Sequence, residues 1–222
     1  MTEQETARQL KAHDVGTEIM RTFFPRQWTT LEYRSAKDFL INATPIRAQL
    51  SSSDVDDRIR NLRTNGLKSV RELWQACLFA HGIGFSVLGT EIFLAPVEDQ
   101  DFDCVAQYII GDTRHYTPIQ LKELVPDNLN PDATLQVEID KLGKYVDSHD
   151  LVVAIYLNRQ FHLELESIRI PDLKIAELWL FGAISPNRSE FMLWGNMLKD
   201  PASYRYQYPS PKTDSTGPLR AS

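Results

Sequence analysis

The feature that most constrains the fold is an apolar run without alternation, LVVAIYLN at residues 151–158. A strand with one face in water alternates apolar and polar residues, whereas a strand covered on both faces does not. We therefore predict a central strand whose sheet has helices on both sides. A helix is predicted just ahead of the run, with Asn130 as its cap and Pro131 in its first position. The predicted apolar face of this helix contains Leu135, Ile139, Leu142 and Val146.

A clearer helix is indicated by SVRELWQACLFAHG at residues 69–82, where apolar residues recur at helical spacing. Ser69 and Glu72 have the spacing of a capping box, in which two side chains satisfy backbone N–H groups of the first turn. Gly82 is predicted to end this helix. Further helical segments are predicted upstream, at residues 5–24, 35–50 and 52–66.

After this helix the periodicity changes to that of strands. Two of them, residues 103–110 and 116–125, are predicted to be neighbours joined by the turn GDTRH. The order of helix, three strands, helix and strand predicts an α/β fold with a mixed β-sheet flanked by helices. The full set of predicted strands is 85–96, 103–110, 116–125, 151–158, 161–170, 176–185 and 190–196.

The chain is predicted to consist of three segments. Residues 1–66 form an N-terminal helical extension, residues 67–200 form the α/β domain, and residues 201–222, rich in Pro, Ser and Tyr, form a flexible tail. The N-terminus is polar and no apolar run approaches the roughly 18 residues of a membrane span, so we expect a cytoplasmic protein without a membrane partner. Cys77 and Cys104 lie in apolar segments and are expected to be buried thiols.

Charge is distributed unevenly along the chain. Residues 1–80 contain 12 Lys+Arg and 10 Asp+Glu, whereas residues 81–222 contain 12 and 20, so the net charges are +2 and −8. The acidic balance argues against a loose, charge-driven nucleic-acid binder, but it is compatible with an enzyme that holds phosphates through a cation. The most basic local segment is compatible with a solvated helix face and with a phosphate-contacting surface. It contains Arg58, Arg60, Arg63 and Lys68.

Four polar side chains interrupt the two neighbouring strands. Asp101 and Asp103 lie at the start of one strand, and Gln120 and Lys122 lie in the next. Because side chains alternate along a strand, each pair shares one face, and the two pairs can meet if the strands are adjacent. A carboxylate, an amide oxygen and a backbone carbonyl are oxygen ligands that Mg²⁺ accepts. A lysine beside such an ion can orient or deprotonate an attacking water.

Asp103 followed by CVA, a turn and then IQLK resembles the PD-(D/E)XK nuclease superfamily, which has the restriction-endonuclease-like fold. The variant with Gln120 is similar to the branch of Mrr-type restriction and Holliday-junction-resolvase-like enzymes. The resemblance covers about residues 68–158 and includes the order of the elements. It implies that Asp103 and Gln120 bind Mg²⁺ or Mn²⁺ together with the backbone carbonyl of Leu121. It also implies that Lys122 is the catalytic lysine.

Three further acids are candidates for the same site. The resemblance implies that Glu72 matches a metal-organising glutamate on the helix before the first strand. Asp101 competes with Asp103 for the role of the metal-binding acid, and Glu91 in the first predicted strand could reach the site. The sequence departs from the family pattern in lacking a Pro before the acid and in having Gln120, a neutral and weaker ligand than Glu.

Each candidate also has a structural interpretation. Glu72 fits the capping box, Lys122 could discourage pairing at a sheet edge, and Gln120 could satisfy backbone groups. Asp101 and Asp103 could be loop acids that end a strand, and Glu91 could simply face the solvent.

The function expected from the resemblance is metal-dependent hydrolysis of phosphodiester bonds in nucleic acid. DNA is the expected substrate, Mg²⁺ or Mn²⁺ the cofactor, and the basic helices between Arg58 and Arg71 the nucleic-acid contact. A homodimer is left open. The alternative, favoured by Gln in place of Glu and by the acidic charge, is an inactive nuclease-like fold that acts as a binding or assembly module.

Overall fold

The computed structural model describes residues 26–52, 54–97, 99, 101–160, 162–210 and 219–220. This part of the chain contains one nine-stranded sheet in which spatial order follows chain order. The strands are β1 (Arg34–Ser35), β2 (Phe93–Pro96), β3 (Cys104–Ile110), β4 (Thr113–Leu124), β5 (Ser148–Leu157), β6 (Ile175–Ala183), β7 (Glu190–Gly195), β8 (Ala202–Gln207) and β9 (Leu219–Arg220). β5 is parallel to both β4 and β6, and the other neighbours are antiparallel. The predicted α/β fold with a mixed sheet is therefore confirmed.

Helices cover this sheet on both faces. They are α1 (Ala36–Ser52), α2 (Asp57–Arg60), α3 (Lys68–Ile83) and α4 (Leu135–Asp140). α3 packs on one face with α1 beside it, and α4 packs on the other face in the crossover between β4 and β5. A 3₁₀ turn at Lys141–Lys144 follows α4 directly.

β5 shows why the run LVVAIYLN has no alternation. Val152, Ala154 and Tyr156 join the core under α3, whereas Val153 and Ile155 join the core under α4. Both sets are buried because a central parallel strand has a helical layer on each side. The predicted central strand at residues 151–158 is confirmed as most of β5.

The first predicted strand, residues 85–96, is wrong over its first half. A π-helical turn at Gly84–Leu88 continues α3, and Gly89 ends it in the left-handed region with φ 66°. Only Phe93–Pro96 pairs as β2. A short apolar run such as FSVL fits a buried helix as well as a strand, so periodicity did not separate the two.

The predicted signals at the two ends of α3 are also wrong. The helix begins at Lys68 without a side-chain cap, and Glu72 pairs with Lys68 at 3.6 Å instead of forming a capping box with Ser69. Gly82 lies inside the helix, where a Cβ would meet the Tyr206 ring at 2.7 Å. Gly82 is therefore required for close packing of β8 on α3.

α4 begins later and turns differently than predicted. Thr134, rather than Asn130 before Pro131, is the N-cap, and its hydroxyl accepts a first-turn N–H at 3.2 Å. Val146 is 78 % exposed, and Tyr145 is buried in its place. The 3₁₀ turn explains the difference because its buried face advances three residues per turn instead of nearly four.

Two predictions near the C-terminus need correction. The strand predicted at residues 161–170 is absent from its described part, where Leu165–Ser167 forms a 3₁₀ turn. The tail predicted from residue 201 onward is ordered over Ala202–Gln207, which forms β8 and buries Tyr206 against α3. Alternating aromatic residues in YRYQY carried this strand signal. Residues 211–218 and 221–222 lie outside the described residues.

Among the N-terminal predictions, the helix at residues 35–50 is confirmed as α1, and residues 52–66 contain the short α2, capped by Asp56. The helix predicted at residues 5–24 lies outside the described residues. Cys77 and Cys104 are buried free thiols, as predicted. None of the helices in the described ranges has the length and apolar character needed to cross a membrane.

Candidate active site where two strands separate

The candidate site begins where β3 and β4 separate. Asp103 directly precedes β3 and lies opposite Gln120 of β4, since the register pairs Cys104 with Ile119. The Asp103 backbone N–H donates to Ile119 O at 2.9 Å. One step further, the Leu121 N–H donates to Oδ2 of the Asp103 side chain at 2.6 Å. The carboxylate thus replaces the strand partner that β3 no longer supplies.

The Gln120 carboxamide links this carboxylate to the backbone. The residue is 6 % exposed, and its Nε2 donates to Asp103 Oδ2 and, at 3.2 Å, to Leu121 O. Its Oε1 accepts a hydrogen bond from the Tyr145 hydroxyl at 3.0 Å. The Asp103 carboxylate, the Gln120 amide and the Leu121 carbonyl, which the resemblance places together, therefore do meet in one cluster. Gln120 also satisfies a backbone group, as its structural interpretation expects.

Lys122 extends from the same face of β4 as Gln120 and is half-buried. Burial lowers the pKa of Lys122, and the nearby Lys144 ammonium lowers it further. Carboxylates that act in the opposite direction are Asp103, Glu138 and Glu72. A lysine with a lowered pKa is better suited to proton exchange near neutral pH. The pairing of β3 with β4 ends at Ile119, so at Lys122 the strand β4 is paired with β5 alone, and the interpretation as an edge lysine remains an alternative.

Tyr145 is a site residue that the sequence reasoning missed. Its hydroxyl holds the Gln120 amide, and burial raises the pKa of Tyr145 to about 12, with the charges of Asp103 and Asp101 adding to the effect. The hydroxyl therefore keeps its proton and remains a donor at neutral pH. The sequence did contain a signal for the burial of Tyr145. It lies three residues after Leu142, and a spacing of three, like one of four, continues the apolar face of a helix.

Glu72 does not contact this cluster. It lies on α3, which packs on the opposite face of the sheet from Lys122, and its ion-pair partner is Lys68. Its charge nevertheless raises the pKa of Lys122, as the last and smallest of the opposing influences. Glu72 thus acts on Lys122 electrostatically, without contacting the cluster.

The two remaining acids are exposed. Glu91 precedes β2 and accepts a hydrogen bond from the Ser35 hydroxyl, beside β1 and away from Asp103. The Asp101 backbone N–H donates to Asp99 Oδ1 at 2.9 Å, which is a local loop contact. Of the two competing aspartates, Asp103 is the one that reaches Gln120 and Leu121.

The described residues contain no group of three or more His, Cys, Asp or Glu side chains placed to hold a metal ion. A cation at the Asp103 cluster would therefore depend on amide and backbone oxygens. As oriented, Nε2 of Gln120 bridges Asp103 Oδ2 and Leu121 O. Rotating the amide by 180° places Oε1 beside those two oxygens and directs Nε2 to the Tyr145 hydroxyl, which can accept. The donor set fits a small, hard cation after this rotation.

The basic segment predicted to contact nucleic acid is partly engaged in ion pairs. Arg60 pairs with Asp57 at 2.6 Å, and Arg63 pairs with Glu123. Arg71 approaches the same carboxylate at 3.7 Å. Arg63 and Arg71 are therefore directed at β4 rather than presented as a solvated helix face.

The fold defines an α/β protein with a mixed sheet. The cluster adds a carboxylate, an amide and a lysine at the point where two strands of that sheet separate. No protein-family model, curated protein or solved structure matches this chain. Its function is therefore proposed from the geometry of the cluster.

Proposed function

We propose that this protein is a metal-dependent nuclease that hydrolyses phosphodiester bonds in nucleic acid, with DNA as the substrate. The observation that carries the proposal is the meeting of the Asp103 carboxylate, the Gln120 amide and the Leu121 carbonyl beside Lys122. The antiparallel β2, β3 and β4, followed by α4 and the parallel β5, agree with the element order of the PD-(D/E)XK resemblance. The cytoplasmic location expected from the sequence suits this function.

Each residue of the cluster has a separate role in the proposed reaction. Asp103, the Leu121 carbonyl and Gln120, with its amide oxygen turned inward, would hold Mg²⁺ or Mn²⁺. A bound ion of this kind lowers the pKa of a coordinated water and polarises a phosphoryl oxygen. Lys122 orients the attacking water, and its lowered pKa allows it to exchange a proton with that water. Tyr145 supports the Gln120 amide in either orientation because a hydroxyl both donates and accepts.

The experiment is a cleavage assay on the purified full chain with DNA and RNA, single- and double-stranded, in Mg²⁺ or Mn²⁺. We expect cleavage that Lys122→Ala reduces by about 100-fold or more, the usual contribution of a general acid or base. The matched control is Lys174→Ala, which removes an exposed lysine paired with Asp172 and should cleave at the wild-type rate. The proposal fails if no substrate is cut with either ion, or if Lys122→Ala and Lys174→Ala are equally active.

A second candidate, a non-catalytic binding or assembly module that includes a homodimer, is favoured by the orientation of Gln120. Its Nε2 already bridges Asp103 Oδ2 and Leu121 O, so these groups are satisfied without a cation. Calorimetric titration with Mg²⁺ and Mn²⁺ separates the two candidates. Saturable binding at millimolar ion supports the nuclease, whereas the absence of binding supports the module.

A further inference from the structure

A second polar cluster lies on the opposite face of β4, at the end of the strand. Its centre is Glu123, which follows Lys122 in sequence and faces α3 because neighbouring side chains in a strand point to opposite faces. Two arginines ion-pair with it, a third is linked to it through an amide, and a fourth packs on the nearby Trp74, and we call these four the arginine cluster. The cluster consists of Arg47 in α1, Arg63 after α2, Arg71 in α3 and Arg188 in the turn between β6 and β7.

Two of these arginines ion-pair with Glu123 directly. Arg63 Nη2 contacts one carboxylate oxygen, and Arg71 Nε lies 3.7 Å from the other. All three side chains are largely buried, with 11 to 18 % of each exposed. At 3.7 Å the Arg71 Nε–H forms no hydrogen bond, and it is a buried donor that no described residue satisfies. A buried donor of this kind normally costs free energy unless a ligand or water accepts its proton.

Arg188 is connected to the same carboxylate through an amide. Asn158 Nδ2 donates to Glu123 Oε1 at 2.7 Å, and Arg188 Nη2 donates to Asn158 Oδ1 at 3.1 Å. Arg188 has a left-handed backbone, with φ 55°, which is uncommon for a residue with a Cβ and costs free energy. This conformation turns an exposed guanidinium toward Asn158 at the carboxyl end of β5, where parallel sheets commonly bind ligands.

Arg47 completes the cluster from α1. Its guanidinium lies over the Trp74 ring, 3.9 Å from the centroid, which fixes its plane without neutralising its charge. Burial lowers the pKa of Arg47, and the Arg188 charge also lowers it, while Tyr208 and Tyr156 act the other way. The Trp74 ring in turn packs edge-on against Tyr156, with 6.0 Å between ring centroids, and Tyr156 is the β5 residue paired with Glu123, so Arg47 lies on the Glu123 face of the sheet.

The cluster has an excess of positive charge. Among the described residues, Glu123 is the one carboxylate that ion-pairs with any of the four arginines. Four guanidiniums against one carboxylate leave three positive charges in a half-buried region. Partly desolvated charges of one sign are costly unless an opposite charge joins them. Guanidinium forks match the oxygens of a tetrahedral oxyanion better than any other side chain does.

We propose that the arginine cluster around Glu123 is a binding site for a phosphate group, carried by a nucleic acid or by a free phosphate ion. Arg188 and Arg47, which have no carboxylate partner among the described residues, provide the first contacts, and the Nε–H of Arg71, 3.7 Å from Glu123, lacks an acceptor. The site lies on the α3 face, so it does not use the Asp103 cluster or any metal bound there. This proposal therefore stands independently of the nuclease activity.

The test is calorimetric titration of the full chain in EDTA with three probes: inorganic phosphate, a short single-stranded oligonucleotide with a 5′-phosphate, and the same oligonucleotide without it. Sodium chloride at matched ionic strength controls for general screening. We expect Arg188→Gln and Arg47→Gln each to weaken phosphate binding by about 10-fold or more, the usual effect of losing a charged hydrogen bond. The matched control is Arg34→Gln, an exposed arginine on β1 that pairs with Glu32.

Glu123→Gln is expected to change phosphate affinity in the opposite direction. Tighter binding could not result from unfolding of the variant. Removing the competing carboxylate should tighten phosphate binding, by about 10-fold for one added net charge at a half-buried site. Preference for the 5′-phosphorylated oligonucleotide identifies a terminal phosphate, equal binding of both oligonucleotides identifies backbone phosphates, and binding of the ion alone identifies a free phosphate site. The proposal is overturned if no probe binds, or if Arg188→Gln and Arg34→Gln have the same effect.

Discussion

Two carboxylates lie on opposite faces of the sheet near the end of β4, and they are held in opposite ways. On the α4 face, Asp103 is held by neutral donors, a backbone N–H and the Gln120 amide. On the α3 face, Glu123 is held by two guanidiniums, those of Arg63 and Arg71. Both carboxylates belong to one end of the same pair of strands. Asp103 takes its partners from β4 itself, whereas the partners of Glu123 come from α3 and from the segment after α2.

The two arrangements suit ligands of opposite charge. Neutral donors stabilise a carboxylate without cancelling its charge, so Asp103 remains attractive to a cation. Two guanidiniums more than cancel the charge of Glu123, and with Arg47 and Arg188 they leave a region attractive to an anion. A single step along the strand, from Lys122 to Glu123, therefore separates a candidate cation site from a candidate phosphate site.

The largest expected effect is on the α3 face. Glu123→Ala should lower the free energy of unfolding by about 3–5 kcal/mol, because it leaves buried guanidiniums without a counter-charge. Urea unfolding monitored by circular dichroism measures this, with Glu32→Ala, an exposed partner of Arg34, as the control. Phosphate in the buffer should restore part of the loss. A loss no larger than that of the control would show that the arginines are well solvated.

Asp103→Ala should cost less, about 2 kcal/mol, because it leaves the Leu121 N–H without an acceptor and removes one of the two acceptors of Gln120 Nε2, but leaves no charge unpaired. The same variant should abolish metal-dependent cleavage. Asp101→Ala is the matched control, since Asp101 is exposed and does not reach Gln120. Equal stability and activity of the two variants would contradict the assignment of Asp103 as the acid of the site.

A third buried carboxylate extends the comparison to β6. Glu177 is 6 % exposed and accepts a hydrogen bond from the Trp179 Nε1–H at 2.6 Å. Burial raises the pKa of Glu177 to about 7, although the Trp179 hydrogen bond and Lys199 act to lower it. Burial with a single hydrogen-bond donor is thus enough to make the Glu177 carboxyl hard to ionise.

The pH dependence of this residue has a definite sign. The pKa of Glu177 is 4.5 in the unfolded state and about 7 in the folded state. Between these two values the folded state binds more protons than the unfolded state, so the contribution of Glu177 to stability falls as pH rises. Above pH 7 this contribution is constant. Glu177→Gln should therefore gain stability relative to wild type as the pH rises from 4.5 to 8, by about 3 kcal/mol. Thermal unfolding at several pH values measures the gain. If the stability difference between Glu177→Gln and wild type does not change with pH, the Glu177 carboxyl is well solvated in the folded state.

The smallest expected effect is on metal affinity. Gln120→Glu should tighten Mg²⁺ or Mn²⁺ binding by about 10-fold, because a second carboxylate replaces an amide as ligand. Without metal the same variant should be less stable than wild type, since two carboxylates would face each other and the Leu121 carbonyl. Calorimetry and thermal unfolding with and without ion measure both parts. Unchanged affinity would favour the non-catalytic module.

Much of the fold could be predicted from periodicity. The neighbouring β3 and β4, the central β5 and the helix α3 follow from local patterns that match the final structure. One prediction was wrong because the apolar run FSVL before β2 fits a buried helix as well as a strand. Another was wrong because the 3₁₀ turn after α4 has three residues per turn, so its buried face differs from that of an α-helix. β8 was missed because the Pro- and Ser-rich composition around it masks the alternating aromatic residues of YRYQY, whose Tyr206 is buried under α3.

For the candidate site, the sequence by itself determined that a carboxylate, an amide and a lysine stand on adjacent strands, because alternation and a short hairpin fix which side chains share a face. Only the tertiary structure decided their partners. Tyr145 reaches Gln120 across 25 positions, and Arg63 reaches Glu123 across 60, through packing of helices on opposite sides of the sheet. Strand geometry is local, whereas the charges that a helix brings to a strand depend on how the whole chain packs.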